Sequence, residues 1–243
     1  MTKTNAKKLI EVKNLCKEFG KGKNKIKAVN DISFDIYDGQ NVALVGSNGA
    51  GKTTTVEILA GLNKPTSGTI TYNLGSNKPI NELIGIQFQD SVYPNGLSVK
   101  RIVKFVIDAY NSNITKEELE KLIDIFGVRS FYRKNARSLS GGQSQRLNVL
   151  LALLHKPKVV FLDELSTGMD ITIRTRIKHF IKDYCQKNNT NIILVSHDMA
   201  EIEYIAERLI VMQNGKIVSD VLIKDVVKGK NTLEQYLTKY IVH

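Results

Sequence analysis

The stretch VGSNGAGKTTT, residues 45–55, sets three glycines and one lysine directly behind the run Asn41-Val42-Ala43-Leu44. Residues 41–45 read as a strand and residues 54–60 as a helix. The glycines between them follow the spacing GxxxxGK[ST] from Gly46 to Thr53, in the strand-loop-helix context that this spacing requires. Bare glycine backbone lets successive N–H groups of Gly46, Ser47, Asn48, Gly49, Ala50 and Gly51 approach phosphate oxygens. The helix behind them, read from Thr54 onward, adds about half a positive charge at its N-terminus. Lys52 is placed to reach β- and γ-phosphates, and the Thr53 hydroxyl to ligate Mg²⁺. A phosphate cradle of this kind occurs in kinases, GTPases and motor ATPases alike, so the rest of the chain must choose among them.

The chain of 243 residues has 42% hydrophobic and 24% charged residues, an ordinary mix for a folded domain. Its apolar runs, such as Val159-Val160-Phe161-Leu162 and Ile192-Ile193-Leu194-Val195, fall far short of the roughly 20 residues that cross a bilayer. The first residues, MTKTNAKKLIEV, carry lysines without an apolar core, so no secretory signal is read and the cytosol is the expected compartment. Cys16 and Cys185 have no metal-binding spacing and are read as reduced thiols. The net charge is +11, and before residue 28 nine lysines face two glutamates, a local +7. Without aromatic residues interleaved among those lysines, no nucleic-acid partner is expected.

Strands are read at residues 9–12, 32–36, 41–45, 69–72, 159–163 and 192–196, several continuously apolar as buried parallel strands are. Asn214-Gly215, between apolar runs, predicts a two-residue hairpin and an antiparallel ribbon near the end of the chain. Between about 98 and 138 only helices are read. Ile102, Val103, Val106, Ile107 and Tyr110 share one helical face, and Thr115 with Glu118 forms a capping box for the next helix. An all-helical segment therefore interrupts an α/β core.

The strand at 159–163 ends in Asp163-Glu164, two carboxylates at the edge where α/β ligand sites gather. Beside a phosphate cradle, Asp163 is a candidate Mg²⁺ ligand and Glu164 a candidate to orient or deprotonate an attacking water. The stretch SLSGGQSQR, residues 138–146, opens a helix over 143–154 with Ser140 as its cap. The Ser140 hydroxyl, the bare Gly141 and Gly142 amides and Gln143 at that helix terminus make a second anion site. One nucleotide has one γ-phosphate, so two such elements in one chain predict that two copies face each other, each covering the other's nucleotide.

These motifs, in this order, resemble the ABC ATPase family: GSNGAGKT its Walker A, Leu139 to Gln143 its LSGGQ signature letter for letter, and VVFLDE its Walker B. The resemblance spans nearly the whole chain. It implies a RecA-like P-loop NTPase core of α/β class with an antiparallel β-subdomain and an inserted helical subdomain over about 95–150, all within one nucleotide-binding domain, 1–243. It also implies a head-to-tail dimer, with a like or a different cassette, sandwiching two MgATP.

Further positions transfer by motif. Gln89, with Gln87 as a rival two residues earlier, resembles the glutamine that touches Mg²⁺ and the attacking water. His197 in ILVSHD resembles the switch histidine near the γ-phosphate, and also precedes a helix capped by Asp198 with Glu201 at its third position. Ser196, His197 and Asp198 are adjacent in sequence and so do not make a hydrolase triad. Phe19 resembles the aromatic that stacks on adenine, and Asp170 the D-loop residue that reaches across the dimer. Leu165 stands where the family commonly has proline and Met169 where leucine is usual; neither change removes a functional group.

A lone cassette implies separate transmembrane permease subunits, which would hold it at the inner face of the cell membrane. The chain resembles stand-alone exporter cassettes, so export is the expected direction. The alternative is a soluble ABC scaffold ATPase such as those of iron–sulfur assembly. A small-molecule kinase is disfavoured, because it gives Ser140 to Gln143 no role.

Overall fold

The computed structural model describes residues 6–87, 92–165, 168–228 and 231–241. The chain divides into two compact units, one of residues 1–81 with 191–243 and the other of residues 82–190. In chain order the first unit begins with β1 (Lys8–Phe19), β2 (Ile26–Tyr37), β3 (Val42–Val45), α1 (Lys52–Leu59) and β4 (Ser67–Tyr72). At the boundary lies α2 (Ile80–Leu83), followed in the second unit by β5 (Ile84–Ile86), α3 (Val99–Ala109), α4 (Lys116–Ile125), α5 (Gly141–Leu153), β6 (Val159–Asp163) and α6 (Ile171–Asn188). The chain then returns to the first unit with β7 (Asn191–Val195), α7 (Met199–Ile205), β8 (Arg208–Gln213), β9 (Lys216–Leu222), α8 (Ile223–Val226) and α9 (Leu233–Ile241). No described helix is long and apolar enough to cross a membrane.

In the first unit, β3 lies between β7 and β8 and is parallel to both, and β9 pairs antiparallel with β8. Every residue of β3 and of β7 is buried, which is why residues 42–45 and 192–195 read as unbroken apolar runs rather than alternating ones. The turn from β8 to β9 has Asn214 at φ 48 and Gly215 at φ 75, the two positive angles of the hairpin turn expected there. Asn191 is 1% exposed and spends its whole amide on the β2–β3 connection: it donates to Tyr37 O at 2.7 Å and Gln40 O at 3.0 Å, and accepts from Gly39 N–H at 3.2 Å. A buried amide satisfied in this way fixes where β3 starts.

The second sheet of this unit has the antiparallel order β2-β1-β4, and both long strands extend beyond their predicted spans of 9–12 and 32–36. The reason is a pair of irregularities that break the period-two pattern. Asn14 (φ 49) and Asp31 (φ 55) sit in the left-handed region where the β1–β2 register shifts, joined by Asn14 Nδ2 donating to Asp31 Oδ1 at 2.9 Å.

In the second unit, β5 runs parallel to β6, with Ile84 opposite Val159 and Ile86 opposite Phe161. The region expected to be helical holds α3, α4, the start of α5 and short 3₁₀ turns at Val128–Phe131 and Ala136–Ser138. Of the predicted α3 face, Ile102 and Val103 are buried, while Val106, Ile107 and Tyr110 are half-buried. The Thr115–Glu118 capping box is formed in both directions, at 3.2 and 2.8 Å. Phe126, fully buried, meets Phe180 of α6 edge-on at 5.8 Å, with Ile177, Ile181 and Cys185 marking the inward stripe of that helix.

Candidate nucleotide site

The first unit carries the phosphate cradle. Between the buried strand β3 and helix α1, Ser47, Asn48 and Gly49 are exposed while Gly46 and Ala50 are buried. A β-carbon on Gly46 would fall 2.2 Å from Met212 O, and one on Gly51 would fall 2.2 Å from Ala28 O. Gly51 also has φ 99, so both positions demand glycine, one for space and one for space and conformation together. Gly51 occupies the N-cap of α1 and offers no side-chain cap, leaving the first-turn N–H groups at Lys52, Thr53 and Thr54 for another acceptor. Lys52 is 8% exposed, and its ammonium donates to Gly46 O at 2.7 Å and Ser47 O at 3.0 Å, which folds the side chain over its own loop. Thr53 is exposed on the first turn and Thr54 half-buried.

Two further residues of this unit were singled out in the sequence. Phe19 ends β1, is 43% exposed, and has the Lys17 ammonium 5.0 Å above its ring. His197 is exposed just past β7. Its neighbours are committed elsewhere: the Ser196 hydroxyl donates to Glu201 Oε2 at 2.6 Å and accepts from Asp198 N–H at 3.1 Å, while Asp198 accepts from Glu201 N–H at 2.9 Å as the cap of α7. These bonds give Ser196 a structural role in the turn that leads into α7.

The second unit carries the acidic pair and the second glycine turn. Asp163 closes β6 at 8% exposure, and Glu164 follows with φ 51, a left-handed backbone in a residue with a β-carbon. Two glutamines hold the carbonyls of this pair. Gln87 Nε2 donates to Asp163 O at 2.6 Å, and Gln145 Nε2 donates to Glu164 O at 2.7 Å and Asp163 O at 3.4 Å. Leu165, the departure from proline, is fully buried.

Ser140 caps α5 as expected, with the helix opening at Gly141 rather than at 143. Gln143 returns the bond, its Oε1 accepting from Ser140 N–H at 3.2 Å while Ser140 Oγ accepts from Gln143 N–H at 3.3 Å. Ser140 and Gly141 are exposed. Gly142 packs onto Gly168, whose φ is 72, and Asp170 caps α6 by accepting from Ile173 N–H at 3.0 Å. The structure thus brings the signature turn and the turn before Asp170 together, which spacing alone does not show. Gln89 lies outside the described residues. Gln87 and Gln145 were not foreseen as holders of the acidic pair, since a lone polar residue after a strand or inside a helix gives no sign of its partner.

A family model described as ABC transporter matches residues 29–167, more than half the chain. A shorter match, residues 132–203, is to a model described as AAA domain, putative AbiEii toxin. Among curated relatives, the uncharacterized ABC transporter ATP-binding protein YxlF of Bacillus subtilis is 31% identical over 86% of this chain and 69% of its own length.

The chain belongs to the ABC transporter family.

This ABC cassette is also 34% identical to the dipeptide transport ATP-binding protein DppF of Lactococcus lactis, over 88% of the chain and 75% of the relative. Other curated relatives are far longer: the cassette spans 13% of ABC transporter A family member 5 of Dictyostelium discoideum. A dimeric ATP-binding cassette solved in a post-hydrolysis state with ADP and Pi matches with TM-score 0.76 at 24% identity, over 88% of this chain and 98% of that one, and establishes the P-loop NTPase fold. As an ABC cassette the chain is an ATP-binding ATPase. The cradle described above fits that ligand, because Gly46 and Gly51 leave bare backbone there and its first-turn donors and Lys52 present positive charge at one loop.

Proposed function

We propose that this cassette hydrolyses MgATP within a head-to-tail dimer and thereby powers a separate transmembrane permease. One observation carries this reading. Besides the P-loop, the chain holds a second helix N-terminus, at Ser140 to Gln143, with Ser140 and Gly141 exposed. A second anion site finds its γ-phosphate on a nucleotide held by another copy.

In this reading, Phe19 stacks on adenine, and the loop from Gly46 to Thr54 holds the phosphates with Lys52 on the β- and γ-oxygens. Thr53, Asp163 and Gln89 would hold Mg²⁺, which would supply positive charge against the phosphate oxygens. Glu164 aligns a water on the γ-phosphorus and takes its proton as the bond to the leaving ADP oxygen breaks, with His197 beside the γ-phosphate. Asp170 reaches the partner cassette. ATP favours the closed pair because its phosphates meet donors from both chains, and hydrolysis removes that bridge. Dimeric solved cassettes and transporter-named relatives support this arrangement.

Glu164→Gln tests it. Light scattering with MgATP is expected to show a stable dimer that turns over at least about a hundredfold more slowly than the parent, and a monomer at saturating MgATP would refute the sandwich. Extraction in detergent followed by mass spectrometry is expected to recover a polytopic membrane protein. Export is our reading of direction, from the likeness to stand-alone exporter cassettes. Relatives named for dipeptide transport and for glucose import stand beside it, and ATP-driven efflux against uptake in oriented vesicles decides. The soluble-scaffold alternative draws no support from these transporter-named relatives.

A further inference from the structure

Helix α5 starts with the signature and then turns Gln145, 7% exposed, onto the end of β6. The Gln145 amide is the donor to Glu164 O at 2.7 Å, and it shares Asp163 O with Gln87. Glu164 sits at φ 51, a backbone conformation that residues with a β-carbon keep only where their surroundings over-determine it. The direction of its carboxylate therefore follows from how its main chain is held. One turn along the same face of α5, Asn148 is 5% exposed and accepts a hydrogen bond from the Tyr93 hydroxyl. A single helical face thus grips both the acidic pair and the segment that contains Tyr93.

We propose that Gln145 is a positioning residue that relays the state of the signature end of α5 to Glu164 of the same chain. This rests on the proposed roles of Ser140 to Gln143 and of Glu164. In a head-to-tail pair, the phosphate met by a chain's signature belongs to one ATP, while its Glu164 acts on the other. A rigid helix joined to Glu164 by one buried amide makes occupancy of the first site set the aim of the carboxylate at the second, and so couples the two hydrolysis events.

Gln145→Met keeps the side-chain length and removes the donor. In the full-length chain, kcat is expected to fall about tenfold to a hundredfold, with KM for ATP within about twofold and the Hill coefficient for ATP moving toward one. A purely structural role would slow hydrolysis equally in every background. Placed on Glu164→Gln, Gln145→Met is instead expected to leave the residual rate unchanged, because there is no longer a carboxylate to aim. Gln145→Asn, whose amide falls short of the carbonyl, is read the same way if the Met variant does not fold. Wild-type kcat and cooperativity in a folded Gln145 variant, or an equal proportional loss in both backgrounds, would overturn the relay. Wild-type turnover by Glu164→Gln alone would instead refute the catalytic reading beneath it.

Discussion

Gly142 lies so close to Gly168 that a β-carbon on Gly142 would fall 2.2 Å from the Gly168 carbonyl oxygen. The obstacle is backbone in a left-handed turn (φ 72), so it cannot swing aside as a side chain would. Gly142→Ala is therefore expected to push the signature turn away from the segment leading to Asp170, at a cost of about 1–3 kcal/mol in stability. Turnover should fall sharply while binding of a fluorescent ATP analogue to the P-loop persists. Gly141→Ala meets nothing within 4 Å and serves as the control for stability alone, since Gly141 belongs to the same proposed anion site.

Gly51→Ala combines a 2.2 Å approach to Ala28 O with φ 99. Overpacking and a disfavoured backbone act in the same direction, so a loss of about 2–4 kcal/mol is expected, read as a lower thermal midpoint. Unlike Gly142→Ala, this variant should also lose nucleotide binding, because the displaced residue starts the helix whose first N–H groups form the cradle.

Burial pushes the Cys185 thiol up to about 12. Its thiolate is therefore scarce at pH 8, and Cys185 is expected to react with a thiol reagent only on unfolding, while Cys16, half-buried, is the one thiol open to labelling in native protein. Two thiols reacting at equal speed in folded protein would contradict the burial of the inward stripe of α6.

Lys156 donates to both oxygens of Glu118, at 2.8 and 2.9 Å, and this bond, helped by the Thr115 N–H, holds the Glu118 carboxyl below its usual range. A depressed folded value stabilises above the unfolded value of 4.5, and that stabilisation is lost as pH falls through the folded one. Lys156→Met is expected to lower stability near neutrality by about 0.5 kcal/mol, since the carboxylate is half-exposed and screened. The difference from the parent should vanish in urea titrations taken well below pH 4.5.

Much of this chain was legible because the physics involved is local. The capping box Thr115–Glu118 joins residues three apart, as does the cap that Ser140 gives its helix, the Asn214-Gly215 turn needs only its own two angles, and the runs 42–45, 159–162 and 192–195 are apolar because each residue is buried. The P-loop spacing from Gly46 to Thr53 was legible too, although the carbonyls that exclude a β-carbon at Gly46 and Gly51, those of Met212 and Ala28, come from other strands.

Tertiary structure alone decided which distant segments meet. Nothing near Gly142 announces Gly168, nothing near Gln145 announces Glu164 O, and nothing near Asn191 announces the β2–β3 connection that takes up its amide. Periodicity reports whether a face is covered, because burial of apolar area is non-directional. A hydrogen bond or a glycine contact depends on partners dozens of residues away, and their approach is set by strand order and helix packing.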